Sequence, residues 1–310
     1  MFIFIRKYSA VLKINWIQAL EYRANALVGV IAIISGLFIE YQIWSLIFKS
    51  QNLTHVNGFS FNELMVFIFL SIIVGQLKSS WHTSGEMIEG IRTGDINKFL
   101  IRPISYFWYH FMMFIGVNSL YYTVYSIILF ILIALFPGAI FQAPINFIGF
   151  IFALIVSIFL SYSIYYIMIC LAFWFGEVRS IVVAYNLIML VLAGQYIPIR
   201  LFPDSIIQIM ELTPFIYLVD FPVSIATGRI PIDMWLINFF YSVIWCLIIW
   251  CLGHFVYSRG IRMYEAMVHR YLKLWLAFFR NSLSRDMEFK MNFIGNLFIC
   301  LLYTSPSPRD

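Results

Sequence analysis

Charge is scarce in this chain: 20 basic and 15 acidic residues make up 11% of its 310 positions, where an average globular domain carries about a quarter. With 62% of the residues hydrophobic, too few polar groups remain to cover a folded sphere in water, which excludes a soluble domain and a disordered chain. The net charge of +5 is scattered between apolar runs instead of gathered into a patch, which argues against a nucleic-acid partner. Cys170, Cys246, Cys251 and Cys300 lie in or beside apolar stretches without metal-ligand spacing, and predict neither a disulfide framework nor a zinc site. His82 and Glu86 stand four apart, but two ligands without a third mean little for a metal. No Ser/His/Asp or Cys/His constellation is legible, so no catalytic, metal or cofactor site is expected, and a membrane-embedded enzyme is the weakest reading. The pattern glycine, four residues, Gly-Lys-Ser/Thr does not occur, so the chain cannot cradle ATP phosphates by that route. Arg6, Lys7 and Lys13 punctuate the N-terminal apolar residues too closely for a cleavable signal peptide.

What is present is apolar length. A bilayer core about 30 Å thick takes roughly 20 residues of helix. That ruler predicts an all-α polytopic membrane protein with six transmembrane helices, near residues 26–48, 64–81, 113–136, 147–174, 181–198 and 234–257. The second has a short apolar heart and needs help from its neighbours or from Lys78 snorkelling to a headgroup. With the N-terminus inside, the inner segments up to Ala266 hold Arg6, Lys7, Lys13, Arg23, Lys78, Arg92, Lys98, Arg102, Arg179, Arg259 and Arg262. The outer segments hold Lys49, Arg200 and Arg229. Basic residues near span ends stay in the cytoplasm, so both termini are expected there.

Two segments are neither span nor simple loop. Residues 83–104 read as an amphipathic elbow along the inner membrane surface. Thr83 and Glu86 fit a capping box, Met87, Ile88 and Ile91 mark an apolar face, and Gly94 is placed to end the turn in a left-handed conformation. Asp95 can start a second short helix, with Ile96, Phe99 and Leu100 on one side and Lys98 and Arg102 elsewhere. Pro103 disfavours helical geometry at the residue before it. The exposed side is either a partner's docking surface or one face of an interfacial helix pair, because amphipathicity shows only where a helix lies. Residues 199–231, cut by Pro203, Pro214, Pro222 and Pro231, fit a re-entrant pair of short helices that dips into the outer leaflet and returns.

Some polar residues fall inside the predicted spans. Glu40 is a functional candidate by its place, yet the apolar run ahead of it is nearly long enough to reach the outer headgroups, and that interfacial reading is favoured. Asn118, Asn186 and Gln195 could line a translocation path, although hydrogen bonds between helices are the commoner use. Tyr121, Tyr122, Tyr162, Tyr165 and Tyr166 could wall an aromatic cavity, although packing and interface anchoring explain most such residues. Arg92 and Arg102 have two readings, a pairing with acidic residues of a partner and a contact with lipid phosphate.

The chain also repeats itself. At an offset of 267 positions, Glu21, Tyr22, Arg23 and Asn25 are matched by Glu288, Phe289, Lys290 and Asn292. Residues 267–299 therefore read as the partial start of a second, related protein. Residues 300–310, ending in LLYTSPSPRD, break abruptly from what precedes them and read as a non-native tail.

Four stretches carry a family resemblance. Ala19–Asn25 (ALEYRAN), Ile91–Ser105 (IRTGDINKFLIRPIS), Thr213–Val223 (TPFIYLVDFPV) with Gly228, and Arg259–Glu265 (RGIRMYE) resemble the membrane subunit of a bacterial type-2 ABC exporter over about residues 1–266. The resemblance implies that residues 1–24 form a cytoplasmic amphipathic connecting helix, 25–257 a six-helix transmembrane domain and 258–266 a cytoplasmic end. It implies that the elbow, with Glu86, Ile88, Ile91, Arg92, Gly94, Asp95, Leu100, Arg102 and Pro103, couples to a separate ATPase subunit that holds ATP and magnesium. It further implies a lipid-embedded permease working with a second copy or a related permease in the bacterial inner membrane. Paired permease genes would account for the second start at Met267. A non-transport membrane module, such as an assembly or immunity factor, is the alternative from a different class.

Overall fold

The computed structural model describes residues 2–21, 23–79, 81–102, 104–136, 138–288 and 294. Its elements run α1 (Phe2–Glu21), α2 (Arg23–Ser50), a two-stranded hairpin of β1 (His55–Val56) and β2 (Phe59–Ser60), α3 (Phe61–Leu77), α4 (Trp81–Thr93), α5 (Asn97–Leu100) and α6 (Tyr106–Leu135). They continue with α7 (Pro144–Cys170), α8 (Ala172–Phe175), α9 (Arg179–Leu192), α10 (Asp204–Glu211), α11 (Asp220–Ala226) and α12 (Ile232–Glu288). Helix dominates because only a helix, or a closed barrel, satisfies its own backbone polar groups in lipid.

A helix stands at each of the six places where apolar length predicts a span. Four contain stretches long enough to cross a bilayer: Val28–Ser50, Tyr106–Leu135, Pro144–Phe175 and Ile232–Tyr264. The other two, α3 with 17 residues and α9 with 14, are apolar but shorter. A helix that is apolar on every side has to be covered, and α3 is buried along most of Leu64–Leu77. Neighbouring helices, not lipid, therefore receive its side chains.

Three expectations need correction here. Lys78 does not snorkel: it lies at the C-cap of α3 and is 6% exposed, with its carbonyl accepting from Ser161 Oγ at 2.9 Å. The capping box expected at Thr83 and Glu86 is not formed, because α4 already begins at Trp81. Thr83 falls inside its first turn with its hydroxyl buried and unpartnered among the described residues. A capping box does form at the start of α3, where Glu63 N–H donates to Ser60 Oγ at 3.5 Å and Ser60 N–H donates to the Glu63 carboxylate at 3.0 Å. Ser60-Phe-Asn-Glu63 carried that signal in the sequence. Asp95 does not cap α5, which begins after Ile96; it pairs with Lys98 at 3.5 Å.

α1 packs lengthwise on the first half of α6. A Cβ on Gly116 would lie 2.8 Å from Asn15 Cβ and 2.9 Å from the Leu12 carbonyl oxygen, so the two backbones approach as closely as glycine permits. The Tyr8 hydroxyl accepts from Ser105 N–H at 3.2 Å. On its remaining sides α1 exposes Ile14, Ile17 and Leu20.

The connecting segments gather at two ends. One end carries α4, α5 and the turn before α9. The other carries the hairpin, the segment around Phe141 and residues 199–231, tied by Asn57 Nδ2 to Arg200 O at 3.0 Å and Phe141 N–H to Ala226 O at 2.8 Å. Within 199–231 a 3-10 turn, Ile199–Leu201, precedes the first of two short helices, α10, and a second 3-10 turn, Pro214–Leu218, joins α10 to α11. All seven residues of α11 are buried, as irregular backbone beside lipid requires.

Residues 1–257 form one unit and 258–310 another. The described part of the second is helical to Glu288, with Trp275 and Phe279 stacked at 5.4 Å. Phe289, Lys290 and Asn292 of the internal repeat and the terminal Leu301–Asp310 lie outside the described residues.

Candidate functional site

The elbow has a buried back and an open tip. Met87, Ile88 and Ile91 are buried, Gly94 breaks the helix at φ +90°, and Phe99 lies 5.0 Å from both Tyr106 and Tyr109, pinning α5 to the start of α6. Leu100, expected beside Phe99 on the covered side, is instead 42% exposed, and Ile101 is 82% exposed. Lys98 and Arg102 flank them, both exposed. Glu86 is exposed too, and partial burial raises its carboxyl, with Lys98 opposing the shift. Pro103 lies outside the described residues.

Arg92 is engaged within the chain. It pairs with Glu89 at 2.9 Å and with Glu177 at 3.5 Å, while Arg179 pairs with Glu89 at 3.2 Å and Glu177 at 3.5 Å. Four charges thus tie α4 to the N-terminus of α9, where the Glu177 carboxylate also accepts from Arg179 N–H at 3.1 Å. Exposed pairs contribute only ~0–1 kcal/mol each. The cluster's consequence is geometric: it fixes where α9 begins. Glu89 and Glu177 escaped sequence reading because no local pattern links them.

Between α2, α3 and α6 lies a cavity of about 390 Å³. Gly29, Ala32, Ile33 and Gly36 line it from α2, Ile72 and Gln76 from α3, Ser79 from just beyond α3, and Asn118, Tyr121 and Tyr125 from α6, with Tyr196 adding a further wall. Gly29 to Gly36, Ile72 to Ser79 and Asn118 to Tyr125 each cover about two helical turns, so the cavity is roughly 10 Å long. Its lining residues present amides and hydroxyls and no charge.

Of the polar residues expected on a path, Asn118 lines this cavity, donating to Phe114 O at 3.0 Å and Ser79 O at 3.4 Å. The others do not join it there. Asn186 donates to Val182 O at 2.8 Å and accepts from the Tyr165 hydroxyl, bridging α9 to α7. Gln195 is buried with its amide against Gly75, where a Cβ would overlap it. Glu40 stands half-buried one turn beyond Gly36 and is hydrogen-bonded to Trp44. Tyr162 and Tyr166 pack 5.1 and 5.0 Å from Phe107 in an aromatic cluster, so of the candidate cavity tyrosines only Tyr121 lines the wall.

At the opposite end Arg229 pairs with Glu63 at 3.2 Å and lies 3.5 Å over the Phe59 ring. The Ser60 N–H, helped by Arg229, holds the Glu63 carboxyl below its ordinary value of 4.5. A depressed carboxyl contributes stability above its unfolded pKa and loses it as pH falls through the folded one. Melting temperatures of wild type and Glu63→Gln should therefore fall by unequal amounts between pH 7 and about pH 3.5. The wild type is expected to lose more; equal losses would exclude this contribution.

Four bilayer-length apolar helices make this a multi-pass, all-α membrane protein. Residues 34–267 match the family described as ABC-2 family transporter protein, and the chain belongs to that family: it is the membrane permease component of an ABC transporter. Permeases of this family normally pair with an ATPase subunit. The match takes in the resembling stretches at 91–105, 213–223 and 259–265, whereas Ala19–Asn25 precedes it. No curated protein sequence matches the chain.

Proposed function

We propose that this permease exports a cargo from a bacterial cell through the inner membrane, driven by a separate ATPase subunit that binds ATP and magnesium and docks on the elbow. The observation that carries the reading is the elbow tip, where Leu100 and Ile101 stand exposed between Lys98 and Arg102 while Met87, Ile88 and Ile91 behind them are buried. An apolar knob with a basic rim is a surface suited to a protein cleft bearing acidic residues. On this reading both termini are cytoplasmic, two permease copies or a pair of related permeases make the path, and the cavity beside Asn118 is the part of that path contributed by one chain.

Closure of the ATPase subunits would push the elbow, and rigid helices would carry the displacement to the cavity. The test is co-purification with the ATPase encoded beside the gene. The double variant Leu100→Ser, Ile101→Asp should lose the ATPase while keeping the wild-type melting temperature, because neither side chain is buried. Undiminished retention of the ATPase would refute docking at the tip.

A further inference from the structure

We propose that α9 is a strut between the elbow and the cavity wall, and that Arg179 is the positioning residue through which the elbow moves it; this rests on the function proposed above. At its N-terminus α9 is tied to α4 by Arg179 to Glu89 at 3.2 Å and, through Glu177, to Arg92 at 3.5 Å. Immediately before it, Gly176 adopts φ +70°, and a Cβ there would meet nothing within 4 Å, so the joint to α8 is narrow and unobstructed. The helix spans 14 residues, about 21 Å.

At its far end the strut does not fray. Gly194 N–H donates to Val191 O at 3.0 Å and Gln195 N–H to Leu190 O at 3.2 Å, with Gly194 at φ +72°. These are the two bonds of a Schellman cap. Tyr196 N–H also reaches Leu190 O at 3.3 Å. The turn therefore travels with the helix, and it carries the two side chains that matter: Gln195, seated against Gly75 of α3, and Tyr196, which lines the cavity. A shift of α4 reaches the cavity along one stiff element, and the four-charge cluster is its lower joint.

The experiment uses the full chain with its ATPase, carrying Ile197→Cys as a reporter two residues beyond the Schellman turn and outside the cavity lining. Labelling of that cysteine by a soluble maleimide is read by mass spectrometry with and without ATP. With the cluster intact the labelling rate is expected to change on adding ATP. Arg179→Gln should keep the ATPase bound yet lose the ATP response. Arg179→Lys should restore it, and so should reversal of all four charges together (Glu89→Arg, Arg92→Glu, Glu177→Arg, Arg179→Glu). An ATP response in Arg179→Gln equal to that of the intact cluster overturns the inference alone. Loss of the ATPase from Arg179→Gln also overturns it, by making Arg179 a docking residue. Failure of the intact protein to retain any ATPase overturns the proposed function, and the strut with it.

Discussion

Gly116→Ala is expected to destabilise the protein by about 1–3 kcal/mol, the usual cost of forcing a methyl into a packed contact. At this site one of the atoms facing the new methyl is the Leu12 carbonyl oxygen at 2.9 Å, and a backbone atom within α1 cannot rotate aside. The other is Asn15 Cβ at 2.8 Å, equally close to the main chain. Relief requires α1 to withdraw from α6, which also pulls the Tyr8 hydroxyl from Ser105 N–H. Intrinsic helix propensity would favour the substitution by roughly 0.5–1 kcal/mol, so the sign itself is informative. A lowered melting temperature in detergent supports the close approach. A raised one would mean that α1 and α6 do not touch at Gly116.

Gly36→Trp is expected to do the reverse, closing the cavity while leaving the fold intact. A Cβ on Gly36 meets nothing within 4 Å, and the residue lines the cavity, so the indole has room to enter it. With the indole in the cavity, a reagent reaches Asn118 only after the ring swings out, and a cost of about 1.4 kcal/mol for that is tenfold in accessible population. The reporter is Asn118→Cys, on the same cavity, reacting with a small water-soluble thiol reagent. Its labelling should slow by about tenfold in Gly36→Trp, with the melting temperature near that of the reporter alone. Labelling at an unchanged rate would show that the cavity is not the route by which water reaches Asn118.

Parts of the architecture were legible because they follow from local chemistry. Apolar length located all six helical stretches, the spacing of Met87, Ile88 and Ile91 identified a buried face, and Gly94 marked a break that has φ +90°. The proline-cut segment 199–231 reads from its punctuation alone, and two short helices stand in it. Ser60-Phe-Asn-Glu63 carries the same capping pattern at a true helix start, whereas Thr83 and Glu86 match its spacing inside a helix that has already begun.

The candidate site was far less legible. Its charge cluster joins Glu89 and Arg92 to Glu177 and Arg179, and its cavity is built from three helices plus Tyr196. A pattern within one helix specifies which face is apolar but not which neighbour that face meets. Arg92 therefore read as open to a partner or to lipid phosphate, and Asn118, Asn186 and Gln195 read as one group although they occupy three environments.

By itself, the sequence determined that this chain lives in a bilayer, where its helices lie and which stretch forms the elbow, because hydrophobic length, helical period and glycine conformation act over a few turns. Only the tertiary structure decided that Lys78 is enclosed, that Arg92 is paired within the chain while the tip is left open and that α9 connects the charge cluster to the cavity wall. Those outcomes depend on which helix packs against which, and the free energy of that choice resides in contacts between residues far apart in the chain.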